Sequence, residues 1–370
     1  MPFIKSFSIE GLAGRVGATE RTLNQDVNVF FGSNGSGKTS LLRILHSALS
    51  HDANLLKNVP FDSAQLLVTS WAGDDFSYQI SKESFDQAQN SSNLFNKVLN
   101  SGRNSVEWQT TPADTPWIHV YLPIARLYEG SATVDFSMLG SRTDSEMDLE
   151  ARFASSLQTT WKDYRRNLSN RLNEIQERGL ARILERVLSR KELSSDNPHT
   201  DSSTAFEAVS TFLARRRVDD ITPSFNEFTK RYSKEPQFRG LVQEIEDIEK
   251  KITDANGPIR ALQNLVREMF IGTKDVSLTG DDIEIAIKDK KLSLSSLSSG
   301  EKQLLKILVA TVNAGVSVIL VDEPELSLHV DWQRRLIPAM QTLNPYAQLI
   351  VATHSPEIMA EIPDNQVFQI

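Results

Sequence analysis

Short apolar runs along the chain predict the strands of a sheet. The alternating segment 3–9 opens the chain, and the continuous run 27–31 is typical of a strand buried on both faces. Helical periodicity follows at 41–49 and again at 298–315. Because strands and helices alternate in both terminal regions, we predict an α/β fold. Further strands are predicted at 66–70, 76–80, 117–122, 276–278, 283–287, 316–321, 349–352 and 366–370.

The middle of the chain has a different pattern. Between residues 143 and 270, apolar residues recur in steps of three, four or eight, which is typical of helices, and the polar segment 191–203 interrupts them. We interpret 143–270 as a helical insertion. It divides the α/β domain into an N-terminal part, 1–142, and a C-terminal part, 271–370.

The composition excludes several kinds of site. The chain of 370 residues has no cysteine, so disulfides, cysteine-bound zinc, iron–sulfur clusters and a cysteine nucleophile are ruled out. It carries 40 Lys and Arg against 48 Asp and Glu, a net charge of −8, which argues against coating nucleic acid through global charge. No run approaches the ~18 apolar residues of a membrane span. We therefore expect a cytoplasmic protein without a membrane partner.

A glycine-rich loop stands between the strand 27–31 and the helix that follows. Its sequence, GSNGSGKTS, fits the pattern G-x-x-x-x-G-K-[ST] of a phosphate-binding loop. Glycines let the backbone N–H groups turn toward phosphates at a helix N-terminus, Lys38 adds a positive charge for the γ-phosphate, and Thr39 offers a hydroxyl to Mg²⁺. The predicted ATP-binding residues are Gly32, Ser33, Asn34, Gly35, Ser36, Gly37, Lys38, Thr39 and Ser40.

Two acidic residues end the apolar run 318–321. A strand places Asp322 at its carboxyl edge, where the carboxylate can hold Mg²⁺ together with Thr39, and Glu323 then lies beyond the strand as a general base for the attacking water. Upstream, the segment 297–301, LSSGE, opens a helix. Taken alone, this segment is a good helix start, with serine at the cap and an acid in the first turn.

The order of the motifs resembles a family. A phosphate loop, LSSGE, VDEPELSLH and ATHS follow one another as in ABC-type ATPases of the soluble SMC, RecF and OLD-like branch. The resemblance covers 1–142 and 271–370 and implies an ABC-type ATPase head that hydrolyses ATP with Mg²⁺ and pairs as a homodimer around two ATP molecules. It implies these roles: Ser298, Ser299, Gly300 and Glu301 as the signature that clamps the partner's ATP, Ser327 and His329 as the D-loop, and His354 as the switch histidine, a catalytic residue together with Glu323.

The sequence departs from the family pattern in three places. Ser299 replaces the first glycine of the commoner signature LSGGQ, and Glu301 replaces its glutamine, as is usual in the SMC-like branch. No glutamine follows the strand 117–122, where the family has one, and Arg126 is a candidate for its place. Arg15, after the first strand, is a candidate for contact with the adenine.

The biological role has more than one interpretation. The C-terminal segment is similar to bacterial defence-associated ATPases of the OLD, PARIS and Septu types, which work with a nuclease, so a separate effector protein, a nuclease, is the first hypothesis. The alternative is a free-standing DNA-binding repair or maintenance ATPase, and a third is a scaffold without enzymatic activity. The DNA hypothesis rests on a basic helix stripe that is more simply interpreted as a solvated face and could also bind an acidic protein: Arg171, Arg178, Arg182, Arg186 and Arg190.

Overall fold

The computed structural model describes residues 2–81, 108–111, 117–123, 146–189, 201–216, 224–270, 274–278, 280–287 and 290–370, without the side chains of 146–150 and 189. These residues divide into two compact units. Unit 1 contains Met1–Trp161 and Ala261–Ile370, and unit 2 contains Lys162–Arg260. Unit 2 lies within the interval 143–270, whose bounds as a domain stay a prediction.

Strands and helices alternate as expected of an α/β fold. The strands are β1 Phe3–Glu10, β2 Ala18–Thr22, β3 Val27–Phe31, β4 Ser63–Thr69, β5 Asp75–Ser81, β6 Gln109–Thr111, β7 His119–Leu122, β8 Asp275–Ser277, β9 Glu284–Ile287, β10 Lys290–Leu292, β11 Val318–Asp322, β12 Gln348–Thr353 and β13 Val367–Gln369. The helices are α1 Lys38–Ser50, α2 Glu146–Ser189, α3 Ser202–Ala214, α4 Phe225–Lys234, α5 Pro236–Ala255, α6 Gly257–Met269, α7 Ser299–Asn313, α8 Val330–Leu343 and α9 Pro356–Met359.

A parallel sheet forms the centre of unit 1. Its order is β13-β3-β12-β11-β7, and each neighbouring pair is parallel. Strands β11 and β12 are buried along their whole length, which explains why they read as continuous apolar runs. Because the carboxyl ends of parallel strands share one edge, the segments that follow β3, β11 and β12 meet there.

Antiparallel strands make up the rest of the sheet structure of unit 1. One sheet has the order β2-β1-β4-β5-β6, and a smaller one has the order β10-β9-β8. The hairpin β4–β5 confirms the strand pair expected at 66–70 and 76–80, with Leu66 opposite Tyr78. Strand β2 was not predicted, because its sequence ATERT has no buried residue. The fold is α/β, and the predicted fold class is confirmed.

A buried glutamine joins the antiparallel sheet to the parallel one. Gln348, at the start of β12, has no exposed surface. Its Nε2 donates to the carbonyl oxygens of Ile4 (2.9 Å) and Asn24 (2.8 Å), and its Oε1 accepts the Ile4 N–H at 2.8 Å. The amide therefore binds three backbone groups from two segments of the chain.

Unit 2 consists of helices around its own apolar core. Phe228 and Ile248 are fully buried in that core, and Phe212 and Tyr232 pack with them. Gly179 lies inside the continuous helix α2. A Cβ atom there would lie 2.4 Å from the Ile248 side chain, so glycine is required for the close approach of α2 and α5. Among the described residues, no helix is long and apolar enough to cross a membrane.

We expect Gln348→Leu to lower the free energy of unfolding by about 3 kcal/mol, because the buried N–H and carbonyl oxygen of Ile4 lose their glutamine partner, while the Asn24 carbonyl oxygen keeps only the amide of Asn28. Urea unfolding followed by tryptophan fluorescence measures this. The matched control is Gln79→Leu, at an exposed position of β5, which should change stability by less than about 0.5 kcal/mol. Equal unfolding midpoints for the two variants would contradict the role assigned to Gln348.

Candidate functional site

Residues 32–37 of the predicted phosphate loop lie between β3 and α1. Gly35 and Gly37 have φ angles of 78° and 101°, which L-residues with a side chain rarely adopt. At Gly32, a Cβ atom would lie 2.4 Å from the carbonyl oxygen of Ile370 and 2.7 Å from Ser36 Oγ. The glycines are therefore needed for both the backbone turn and the close packing of the loop.

The ammonium group of Lys38, the first residue of α1, lies against the backbone of this loop. Its Nζ donates to the carbonyl oxygens of Gly32 (2.9 Å) and Ser33 (3.1 Å) and lies 3.3 Å from His354 Nδ1. Burial lowers the pKa of Lys38, while the carboxylates of Glu323, Asp322 and Glu325 act in the opposite direction. With Ser36 Oγ at 3.5 Å, the three protons of the ammonium group have four possible acceptors.

Thr39 and Asp322 form the neighbouring pair. Thr39 Oγ1 donates to Asp322 Oδ1 at 3.3 Å, and Asp322 is 1% exposed. Burial raises the pKa of Asp322 to about 6, against the opposing effect of the Thr39 hydrogen bond. Its second oxygen, Oδ2, is buried with no hydrogen-bond partner among the described residues. The Thr39 hydroxyl and the Asp322 carboxylate, one oxygen of which is unpaired, are oxygen ligands of the kind that Mg²⁺ prefers, so these residues fit the predicted ion.

Glu323 and His354 meet beside Lys38. His354 Nε2 lies 2.8 Å from Glu323 Oε1. Because the Lys38 ammonium can only donate, Nδ1 of the imidazole accepts, and the ring proton lies on Nε2 and is donated to Glu323. Glu323 has a φ angle of 46°, a strained backbone conformation of the kind that clusters at functional sites. The structure thus brings together Lys38, Thr39, Asp322, Glu323 and His354.

The predicted signature residues form a second cluster. Ser298 caps α7: its Oγ accepts the Glu301 N–H at 3.3 Å, and Glu301 Oε2 accepts the Ser298 N–H at 2.6 Å. Lys274 Nζ lies 2.6 Å from Glu301 Oε2 and donates to the Ser296 carbonyl oxygen at 2.9 Å. The Glu301 carboxylate therefore fixes the signature loop from within the chain. Sequence reasoning missed Lys274, because no local pattern links residues 27 positions apart.

Gly300 places the signature helix directly against the predicted D-loop. A Cβ atom on Gly300 would lie 2.3 Å from the Ser327 carbonyl oxygen, and Ser327 has a φ angle of 65°. His329, the other predicted D-loop residue, is exposed and caps α8 by accepting the Asp331 N–H at 3.4 Å. In the described part of the chain, the hydrogen bonds of residues 298–301 do not reach the cluster around Lys38.

The basic stripe of α2 is largely paired within unit 2. Arg186 lies 2.8 Å from Glu244 Oε1 and Arg182 lies 4.0 Å from Glu244 Oε2, and the Glu244 side chain is 10% exposed. Arg178 pairs with Glu174 at 2.6 Å. These contacts lower the positive charge that the stripe presents to solvent. Arg171 lies on the same helix, whereas Arg190 and Arg126 are outside the described residues.

We expect Lys274→Met to destabilise the protein by about 1–3 kcal/mol at pH 7, because it leaves the Glu301 carboxylate without its cation. Burial opposes ionisation of Glu301, but hydrogen bonds from Lys274 and Ser298 lower its pKa overall. A lowered carboxyl pKa contributes stability above the unfolded pKa, and this contribution is lost as the pH falls through the folded pKa.

The difference in melting temperature between wild type and Lys274→Met should therefore shrink as the pH falls below about 4. Lys291→Met is the matched control, because Lys291 forms an exposed ion pair with Glu284 in which the side chains are 79% and 53% exposed. A difference that stays constant from pH 7 to acid would contradict the ionic role of Lys274.

Comparison with known proteins identifies the family to which this chain belongs. The family described as "AAA domain, putative AbiEii toxin, Type IV TA system" matches residues 27–360. The retron Vc95 probable ATPase of Vibrio cholerae is 21% identical over 385 positions, covering 93% of this chain and 68% of that protein. The retron Ec83 probable ATPase of Escherichia coli is 26% identical over 125 residues, covering 30% of this chain and 23% of that protein.

Septu protein PtuA of Bacillus thuringiensis is 29% identical over 104 residues, which cover 24% of this chain and 26% of that protein. The chain thus spans less than two thirds of the length of the Ec83 and PtuA proteins. Among solved structures, the Smc head domain of Pyrococcus furiosus bound to the C-terminal domain of ScpA has 14% identity and a TM-score of 0.44, covering 97% of this chain and 92% of that one.

The retron and Septu relatives confirm the predicted resemblance to ATPases of the SMC- and OLD-like, defence-associated kind. The family match extends over most of the chain and includes the phosphate loop, Asp322, Glu323 and His354. This chain therefore belongs to the AAA-domain family that carries the AbiEii and type IV toxin–antitoxin description.

Proposed function

We propose that this chain binds and hydrolyses ATP with Mg²⁺, and that ATP-dependent pairing of two copies regulates a separate effector protein, a nuclease. The observation that carries the hydrolytic part is the arrangement of Lys38, His354 and Glu323, with Glu323 Oε1 2.8 Å from the imidazole. A base, a group that orients it and a phosphate-binding cation lie within one connected cluster. The family and the relatives named as probable ATPases support the same activity.

The residues of the site have separate tasks in this reaction. The backbone N–H groups of the phosphate loop and the Lys38 ammonium would hold the phosphates of ATP. Thr39 and Asp322 would hold Mg²⁺, which neutralises phosphate charge when it is bound. Glu323 takes the proton of the attacking water, whose oxygen bonds to the γ-phosphorus while the bond to the β,γ-bridging oxygen breaks. ADP and phosphate leave, and His354 keeps the Glu323 carboxylate oriented through its Nε2 proton.

Pairing of two copies follows from the separation of the two clusters. Ser298 stands at the N-terminus of α7, where unpaired N–H groups and the helix dipole favour an anion. Its hydroxyl accepts the Glu301 N–H and keeps its own proton for a phosphate oxygen. In the described residues, the signature cluster shares no hydrogen bond with the Lys38 cluster. We therefore assign the phosphate that Ser298 would bind to an ATP molecule held by a second copy of the chain.

The effector part of the proposal draws on the relatives. Two of them are named as retron ATPases and one as a Septu protein, which supports a role in a defence system with a separate nuclease. The alternative of a free-standing DNA-binding ATPase has less support, because Arg182 and Arg186 face the carboxylate of Glu244.

We expect Glu323→Gln to lower kcat for ATP hydrolysis by about 10²–10⁴-fold while ATP affinity stays within threefold, since the amide cannot accept the proton of water. Light scattering on this variant should show a doubled mass with ATP and Mg²⁺, because the closed pair cannot open by hydrolysis. Co-expression with the neighbouring genes should add a co-eluting nuclease.

The matched control is Glu361→Gln, a carboxyl-to-amide change at an exposed position outside the site. It should hydrolyse ATP at the wild-type rate and return to a single copy after turnover. Hydrolysis by Glu323→Gln at the wild-type rate would refute the role of the base. A mass that does not respond to ATP would refute pairing, and elution without a nuclease would refute the proposed effector.

A further inference from the structure

A third carboxylate lies at the site without a task in the reaction described above. Glu325 follows Glu323 by two residues, and its Oε1 accepts the backbone N–H of His354 at 2.6 Å. Its second oxygen is buried and has no hydrogen-bond partner among the described residues. The side chain therefore has one hydrogen bond that connects it to the site, and that bond is to the backbone of the switch histidine.

The bond from Glu325 is one of several that attach the segment 352–355 to the turn after β11. The Glu323 N–H donates to the Ala352 carbonyl oxygen at 2.8 Å. Farther along, Gln333 Oε1 accepts the Ser355 hydroxyl at 2.7 Å, and Gln333 Nε2 donates to the Leu328 carbonyl oxygen at 2.9 Å. These contacts fix the backbone on both sides of His354, and Glu325 fixes the backbone of His354 itself.

We propose that Glu325 is a positioning residue, which sets the direction of the His354 ring between Lys38 and Glu323 by binding the His354 N–H. The inference rests on the proposed ATPase function. The imidazole can bridge Lys38 Nζ at 3.3 Å and Glu323 Oε1 at 2.8 Å only while its backbone is held in this orientation. Without the Glu325 acceptor, the His354 N–H loses its partner beside the ring, and the ring can turn away from the base.

A second role for the same carboxylate has to be separated from this one. Glu325 also acts on the Lys38 ammonium through its charge. Replacement by glutamine removes the charge but keeps a carbonyl oxygen that can accept the His354 N–H. Replacement by leucine removes both the charge and the acceptor at similar size. The pair of variants thus separates a hydrogen-bond acceptor from a counter-ion.

The first measurement is the nuclear magnetic resonance of histidine labelled at the ring nitrogens, in nucleotide-free protein, with the His354 signals identified by their loss in His354→Asn. Wild type, Glu325→Gln and the control Glu361→Gln should show His354 with its proton on Nε2. Glu325→Leu should show an average of the two tautomers. Because this measurement needs no turnover, it tests the position of the ring whether or not the chain hydrolyses ATP.

The second measurement is steady-state ATP hydrolysis. Glu325→Leu should lower kcat by about tenfold or more with KM within about threefold of wild type, and Glu325→Gln should recover most of the loss. If the leucine variant does not fold, Glu325→Ala is measured in its place, because it also removes both the charge and the acceptor. A wild-type His354 tautomer in the leucine or alanine variant overturns the proposal, and so does a glutamine variant as impaired as the leucine one. If the wild-type protein shows the Nε2 tautomer of His354 but does not hydrolyse ATP, the proposed ATPase function is refuted and the positioning role of Glu325 is not.

Discussion

The Lys38 ammonium is the group on which the arrangement of the site depends. It is buried, so desolvation disfavours its charge, whereas the carboxylates of Asp322, Glu323 and Glu325 favour it. A buried charge without partners costs several kcal/mol, so this position is stable only while the loop carbonyls and the imidazole supply hydrogen bonds. One cation therefore requires three separate segments of the chain, those after β3, β11 and β12, to come together.

The parallel sheet makes that meeting possible. Asp322 is in register with Ala352, and Thr353 is in register with Phe31, so the three strands end nearly level at one edge. The loops that leave them are short, and those after β11 and β12 start from buried residues, which leaves little freedom at the site. At the opposite end of β12, the hydrogen bonds of Gln348 connect the parallel sheet to β1. The strand that precedes His354 is therefore held in place at both ends.

The sequence predicts those parts of the protein whose signals are local. A glycine pattern, an apolar run that ends in two acids and a short strand before Thr353 suffice to place the phosphate loop, Asp322 and His354. Contacts between residues that are far apart in the sequence produce no local pattern. The partner of Arg186 is Glu244, 58 positions away, and therefore the stripe read as a free basic surface is largely paired. Periodicity indicates which side of a helix is buried but not which charge lies opposite.

The contact between Gly300 and Ser327 has a mechanical consequence. The backbone at the start of α7 touches the backbone carbonyl of the turn before α8 with no side chain between them, so there is no soft element to absorb a displacement. Ser327 is four positions from Glu323, and its left-handed conformation gives that turn few alternative shapes. A displacement of the segment 297–301 is thus transmitted by direct backbone contact to the turn that carries Glu323, so these two segments of the chain cannot move independently.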